Sequence, residues 1–149
     1  MSYTNSINDA LKEFSLGNKE RAYKKLKKIF DKNKDDDLLR FNIAVIEQSL
    51  NLNENAKRNY RYLVTKNNNK AMINLYLLNI KEENYIDALE IINRLIISGN
   101  EFISIIKDKA FVLLKLKKYN ESIDICKNYF NKTKDINFLN ILGLNYLKK

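Results

Sequence analysis

Histidine, proline and tryptophan are missing from this sequence, cysteine occurs once and glycine three times in 149 residues. Without imidazole the chain lacks the side chain that titrates near neutrality and most often ligates metals. The single Cys126 closes no internal disulfide, and one thiol without a second cysteine or a histidine makes no structural zinc site. These absences point to a non-catalytic chain with no metal and no cofactor, in a reducing, cytoplasmic setting. Absence of proline argues against linkers. No stretch approaches the roughly 18 apolar residues of a membrane span. Residues 1–14 carry Asn8, Asp9, Lys12 and Glu13 and lack the apolar core of a signal peptide.

What is present is the composition of a folded chain, 45% hydrophobic and 30% charged. At this length one compact domain or one short repeat array is expected over residues 1–149, burying about two-thirds of the surface of the unfolded chain. The formal net charge is +9, and its distribution is uneven. Residues 3–36 and 37–70 each carry +3, residues 71–104 carry −3, and residues 105–149 carry +6. The chain has 22 Lys to five Arg, with 23 Asn and 18 Ile. An AT-rich coding sequence would produce this usage, which discounts the charge as a sign of a nucleic-acid ligand.

A period of about 34 residues organises the chain. Ala22, Leu26, Ile29 and Phe30 stand at offsets 0, 4, 7 and 8, so they share one face of a helix. The same offsets return as Ala56, Tyr60, Leu63 and Val64, as Ala88, Ile92, Leu95 and Ile96, and as Ser122, Cys126, Tyr129 and Phe130. A short polar turn precedes each of these segments, and another amphipathic segment precedes the turn. The expected elements are helix pairs 4–16 with 19–32, 37–49 with 53–66, 70–81 with 85–98 and 102–116 with 119–132, then a last helix over 136–148. Asp36, Asn69, Asn100 and Asp135 are the expected N-caps, and Gly99 stands just past a helix end. The units run approximately over 3–36, 37–70, 71–102 and 103–135, with an unpaired final helix at 136–149. That helix either caps the array or opens a further unit of a longer chain. Its many apolar residues favour the second option, or self-association through this helix.

The array resembles the tetratricopeptide repeat family, whose unit is a 34-residue antiparallel helix pair. Ala10, Ala44 and Ala110 match the small eighth residue of the unit, Gly17 and Asn51 the turn, Tyr85 and Tyr119 the seventeenth residue, and Ala22, Ala56 and Ala88 the twentieth, where Ser122 substitutes. The stretch from Leu142 and Gly143 to Tyr146 matches the start of another unit. The proline that usually ends a unit is missing from every copy. The resemblance implies an all-α fold, a right-handed superhelical array of antiparallel helix pairs with about four repeats plus a C-terminal helix.

In that family the first helices of successive units line a concave groove that binds a peptide or a helix of a partner. The resemblance carries this role to Asn8, Phe41, Asn42, Asn74, Lys81, Lys107, Phe111 and Lys115. Asn8, Asn42, Asn74 and Asp108 form a column at the sixth residue of the units, where amides suit pairing with a peptide main chain, although Asn is abundant in this chain in any case. The expected function is a non-catalytic protein-binding scaffold. Two alternatives are an N-terminal recognition or assembly arm of a larger enzyme such as a transferase, and a basic helical-repeat RNA-binding protein. The second rests on Arg21, Lys24, Lys25, Lys27 and Lys28, which also fill the solvent side of a helix whose other face is apolar.

Overall fold

In the computed structural model residues 2–149 are described, and all regular structure among them is helical. The helices are α1 (Tyr3–Ser15), α2 (Lys19–Phe30), α3 (Asp37–Ser49), α4 (Asn53–Thr65), α5 (Asn69–Lys81), α6 (Tyr85–Ile97), α7 (Ile103–Lys115), α8 (Tyr119–Thr133) and α9 (Ile136–Lys148). Each bound falls within two residues of the expected one. No helix among the described residues is long and apolar enough to cross a membrane.

Local chemistry explains where the helices begin. The Asp36 carboxylate accepts from Leu39 N–H at 2.8 Å and that of Asp135 from Asn137 N–H at 2.9 Å, each satisfying a donor of the first turn. At α5 the cap is Asn68, accepting from Ala71 N–H at 3.0 Å, so Asn69 is already inside the helix. Asn100 is not a cap either. Its N–H is bonded to the Leu95 carbonyl at 3.0 Å, which ties it to the end of α6, and Phe102 occupies the position before α7.

That bond belongs to a device used throughout the chain. Gly99, at φ +88°, donates to Ile96 O while the next residue reaches back to Leu95 O, the two reverse bonds of a Schellman turn. The same pair of bonds closes turns at Gly17, Asn51, Asn67, Glu83 and Lys117, all with positive φ. Gly17, Asn51, Glu83 and Lys117 stand at spacings of 34, 32 and 34 residues. The chain thus sets its sharp turns with left-handed residues, and at Glu83 and Lys117 it does so without the relief that glycine or asparagine gives.

The chain divides into two compact units, one ending at Asn74 and one starting at Leu75, so the division falls inside α5. The first unit packs Ala10 of α1 against Ala22, Leu26 and Phe30 of α2 and Leu39, Ile43 and Ile46 of α3. Ala10, Ala22, Ala44 and Ala56 are fully buried, and the missing side-chain volume lets paired helices approach closely. Tyr3 donates a hydrogen bond to Asp36, joining the start of α1 to the start of α3. In the second unit Ile106 and Ala110 of α7, Cys126 of α8 and Phe138 of α9 form the core, flanked by Tyr129, Ile141 and Leu142. The Phe138 ring stacks on Tyr129 with centroids 5.8 Å apart. Burial of a side chain of this size contributes about 2–3 kcal/mol.

The recurring face expected from sequence is the buried one. Ala22, Leu26, Phe30, Ala56, Tyr60, Leu63, Val64, Ala88, Ile92, Leu95, Ser122 and Cys126 are buried, whereas Ile29, Ile96, Tyr129 and Phe130 of the same face are half-buried. The last helix is not wholly exposed: Phe138 and Asn145 lie inside, whereas Ile136, Tyr146 and Leu147 face solvent.

Candidate functional site

The residues expected to bind a partner fall into two groups, one in each unit. In the first, Phe41 and Asn42 stand on α3, Asn8 on α1 and Asn74 at the unit's end. Phe41 lies beside the buried Tyr60, ring centroids 6.0 Å apart and tilted by 56°. The Tyr60 hydroxyl donates to Gln48 Oε1 at 3.0 Å and accepts from Asn74 Nδ2 at 3.1 Å. Burial pushes the Tyr60 phenol up to about 12, so it stays a neutral donor at any physiological pH. Asn74 is therefore held by a core residue. Asn8 is exposed and Asn42 half-buried, and neither side-chain amide has a hydrogen-bond partner among the described residues.

In the second unit the column changes character. Asp108, fourth in the series after the three asparagines, accepts from the Tyr76 hydroxyl at 2.9 Å. Burial raises the pKa of its carboxyl, while the Tyr76 bond and the neighbouring Lys107 charge act in the opposite direction. Lys107 itself turns to Asp135, Nζ to Oδ2 at 3.0 Å, with both side chains partly buried. The backbone N–H of Asn137 and this lysine hold the Asp135 carboxyl below its usual range. Lys107 thus ties α7 to the cap of α9. Lys81 is exposed on the last turn of α5.

Phe111 and Lys115 are brought together. With Leu114, Lys117, Tyr119, Leu144 and Lys148 they line a pocket of about 370 Å³. The Phe111 ring meets Tyr85 edge-on, centroids 6.4 Å apart at 77°, and the Lys115 ammonium lies 5.4 Å from its centroid. Three lysines and no carboxylate line the pocket. Its chemistry suits an apolar side chain entering beside an acidic group. Cys126 takes no part: it is fully buried, and burial pushes its thiol up to about 11, away from nucleophilic reactivity.

No protein-family model and no curated protein matches the sequence. Solved structures do match. A tetratricopeptide repeat protein from Parabacteroides merdae ATCC 43184 superposes with a TM-score of 0.86 at 15% sequence identity, over 96% of this chain and 58% of that one. MamA from Desulfovibrio magneticus RS-1 gives 0.84 at 13% identity, over 98% of this chain and 84% of that one. MamA of AMB-1 gives 0.82 at 12%, over 98% and 81%. This chain has the tetratricopeptide-repeat fold.

At these identities the likeness is one of fold, and this chain spans 58% of the length of the Parabacteroides protein. The tetratricopeptide period also explains which pocket residues the sequence reading passed over. Leu144 and Lys148 lie 33 residues after Phe111 and Lys115, so they occupy the same two repeat positions one unit later. Extending the period to α9 finds them. Lys117 and Tyr119 come from the turn and start of the second helix, not from the first helices that line the family's groove, and only their proximity to α9 reveals them.

Proposed function

We propose that the chain is a non-catalytic scaffold that holds a segment of a protein partner, extended or helical, against the first helices of its tetratricopeptide hairpins. The pocket lined by Phe111, Lys115, Leu144 and Lys148 carries this reading, because it joins an aromatic wall to unopposed lysines at successive equivalent positions. Support in the first unit comes from the free amides of Asn8 on α1 and Asn42 on α3, which suit an extended main chain. Asn74 and Lys107 act by positioning these faces, through Tyr60 and Asp135. Lys81 stays free to meet an acidic residue of the partner.

The test is affinity capture from nuclease-treated lysate of the source cell, comparing the unaltered chain with a Lys115→Glu, Leu144→Asp variant. Both side chains are exposed, so the variant keeps its helical circular dichroism. The expected result is a direct protein partner, confirmed with the purified components, whose binding weakens at least tenfold in the variant. A partner list unchanged by the variant, or RNA as the only species recovered without nuclease, overturns the reading.

A further inference from the structure

A second recess opens within the first unit, away from the face just described. On α3, Arg40, Ile43 and Glu47 recur at offsets of three and four residues and share one side of the helix, opposite to Phe41, Val45 and Gln48. This side lines a recess of about 250 Å³, to which α2, the turn after it and α4 contribute Lys27, Asp31, Lys34 and Arg58. Four cations therefore face two carboxylates, an excess of two positive charges at one place.

The carboxylates do not absorb these cations. Glu47 is 2% exposed, and its oxygens are already taken, Oε1 by the Tyr23 hydroxyl at 3.1 Å and Oε2 by Asn59 Nδ2 at 2.8 Å. Lys27, Lys34 and Arg58 form no ion pair among the described residues, although the charges of Lys27 and Arg58 are felt at Glu47. Some lysines of the chain are neutralised by carboxylates, Lys25 by Asp9 and Glu13, Lys107 by Asp135, Lys118 by Glu121, and those of this recess are not. Arg40 is fixed in the wall. Its Nη1 donates to Asn59 Oδ1 at 3.1 Å and Nη2 to the Lys34 carbonyl at 2.8 Å, and its guanidinium lies 3.9 Å from the Tyr62 ring centroid and 4.8 Å from that of Phe30. One immobile cation and three unpaired ones thus surround a small space.

The geometry points to this recess as a binding site for a phosphate monoester group. A doubly charged phosphate matches the excess of two charges, and its oxygens accept hydrogen bonds from several ammonium and guanidinium groups at once. The recess is smaller than the roughly 300–1,000 Å³ of a pocket for a whole small-molecule ligand, so it takes the phosphate and its first attached atoms, with the rest of the ligand outside. The group can belong to a free phosphate ester or to a phosphorylated side chain of a protein. This site lies on the second-helix side of the unit and does not depend on the proposed partner-binding face.

Titration of the full chain with inorganic phosphate, followed by amide NMR at constant ionic strength against chloride, tests the site. Saturable shifts confined to residues 27–47 and 55–59 are expected, and they weaken at least tenfold in a Lys34→Glu, Arg58→Glu variant, whose altered side chains are exposed. A Lys24→Glu, Lys28→Glu variant, altered on the solvent face of α2, keeps the affinity. A peptide carrying one phosphoserine that binds more tightly than phosphate assigns the site to a phosphorylated protein. Equal or weaker binding of the peptide assigns it to a free ester. Shifts that never saturate, that spread over all lysines, or that vanish equally in the Lys24 and Lys28 variant overturn the proposal. So does single-stranded RNA that binds through Lys24 and Lys28 and leaves Lys34 and Arg58 unperturbed.

Discussion

The first unit buries two charged side chains, Glu47 and Lys57; the second buries neutral ones, Asn79, Ser122 and Asn145. Ser122 Oγ donates to the Ala110 carbonyl at 2.7 Å and accepts from Asn145 Nδ2 at 2.8 Å, and the same Nδ2 donates to Ile141 O at 2.9 Å. The neutral pair fastens α9 to the α7–α8 hairpin and leaves one buried acceptor, Asn145 Oδ1, without a hydrogen-bond partner among the described residues. Ser122 stands at the repeat position that Ala22, Ala56 and Ala88 hold elsewhere, so one added oxygen is what lets α8 hydrogen-bond α9 at this place. The buried carboxylate has the opposite consequence. It is hydrogen-bonded by neutral groups and sits among cations that remain unpaired, which leaves that side of the first unit electrostatically incomplete.

Each half of this contrast can be broken separately. Phe138→Ala empties the packing beneath α9 and is expected to destabilise the second unit by about 3–5 kcal/mol. Hydrogen exchange would show protection lost over α7, α8 and α9 before α1, α2 and α3; equal loss everywhere would mean that the contrast between the units is not energetic. Ser122→Ala removes the link to Asn145 and is expected to cost about 1–2 kcal/mol in urea unfolding. A neutral outcome would show that the bond to Ile141 alone satisfies the amide.

Asp108→Asn keeps an oxygen to accept from Tyr76 and removes a half-buried charge. The folded-state pKa of Asp108 is raised, so its ionisation opposes folding once the pH exceeds the unfolded value of about 3.9. The variant is therefore expected to be more stable than the unaltered chain above the folded pKa. Its advantage should shrink as the pH falls and vanish below about 3.9. A constant difference across the titration would reject burial as the cause. The smallest effects are at the turns. Lys117→Gly relieves a left-handed residue and is expected to stabilise by about 0.5–1 kcal/mol, whereas Gly17→Ala, at φ +87° with no atom crowding the new Cβ, should cost a similar amount through the backbone alone.

The helices and their order were legible because the signals that specify them are short-range. Offsets of 4, 7 and 8 residues locate each buried face, and Asp36 and Asp135 cap helices that start one residue later. The misplaced caps have a local cause of a different kind. Around Gly99 the chain closes a Schellman turn, which takes the Asn100 N–H for the preceding helix, and sequence alone does not say which helix a turn residue serves. The candidate binding residues were less legible. Phe111 and Lys115 meet at a pocket, yet Lys107, one turn before Phe111 on the same helix, is bonded to Asp135.

The sequence by itself determined the all-helical repeat, its period and its buried face, since the face of each helix is set by residues within about eight positions of one another. Only the tertiary structure decided which polar groups are spent inside and which remain for a ligand. Asn74 meets Tyr60 across 14 residues, Lys107 meets Asp135 across 28, and Tyr76 meets Asp108 across 32. Such partners are chosen by how hairpins stack and which rotamers that packing leaves, and no local pattern records that choice.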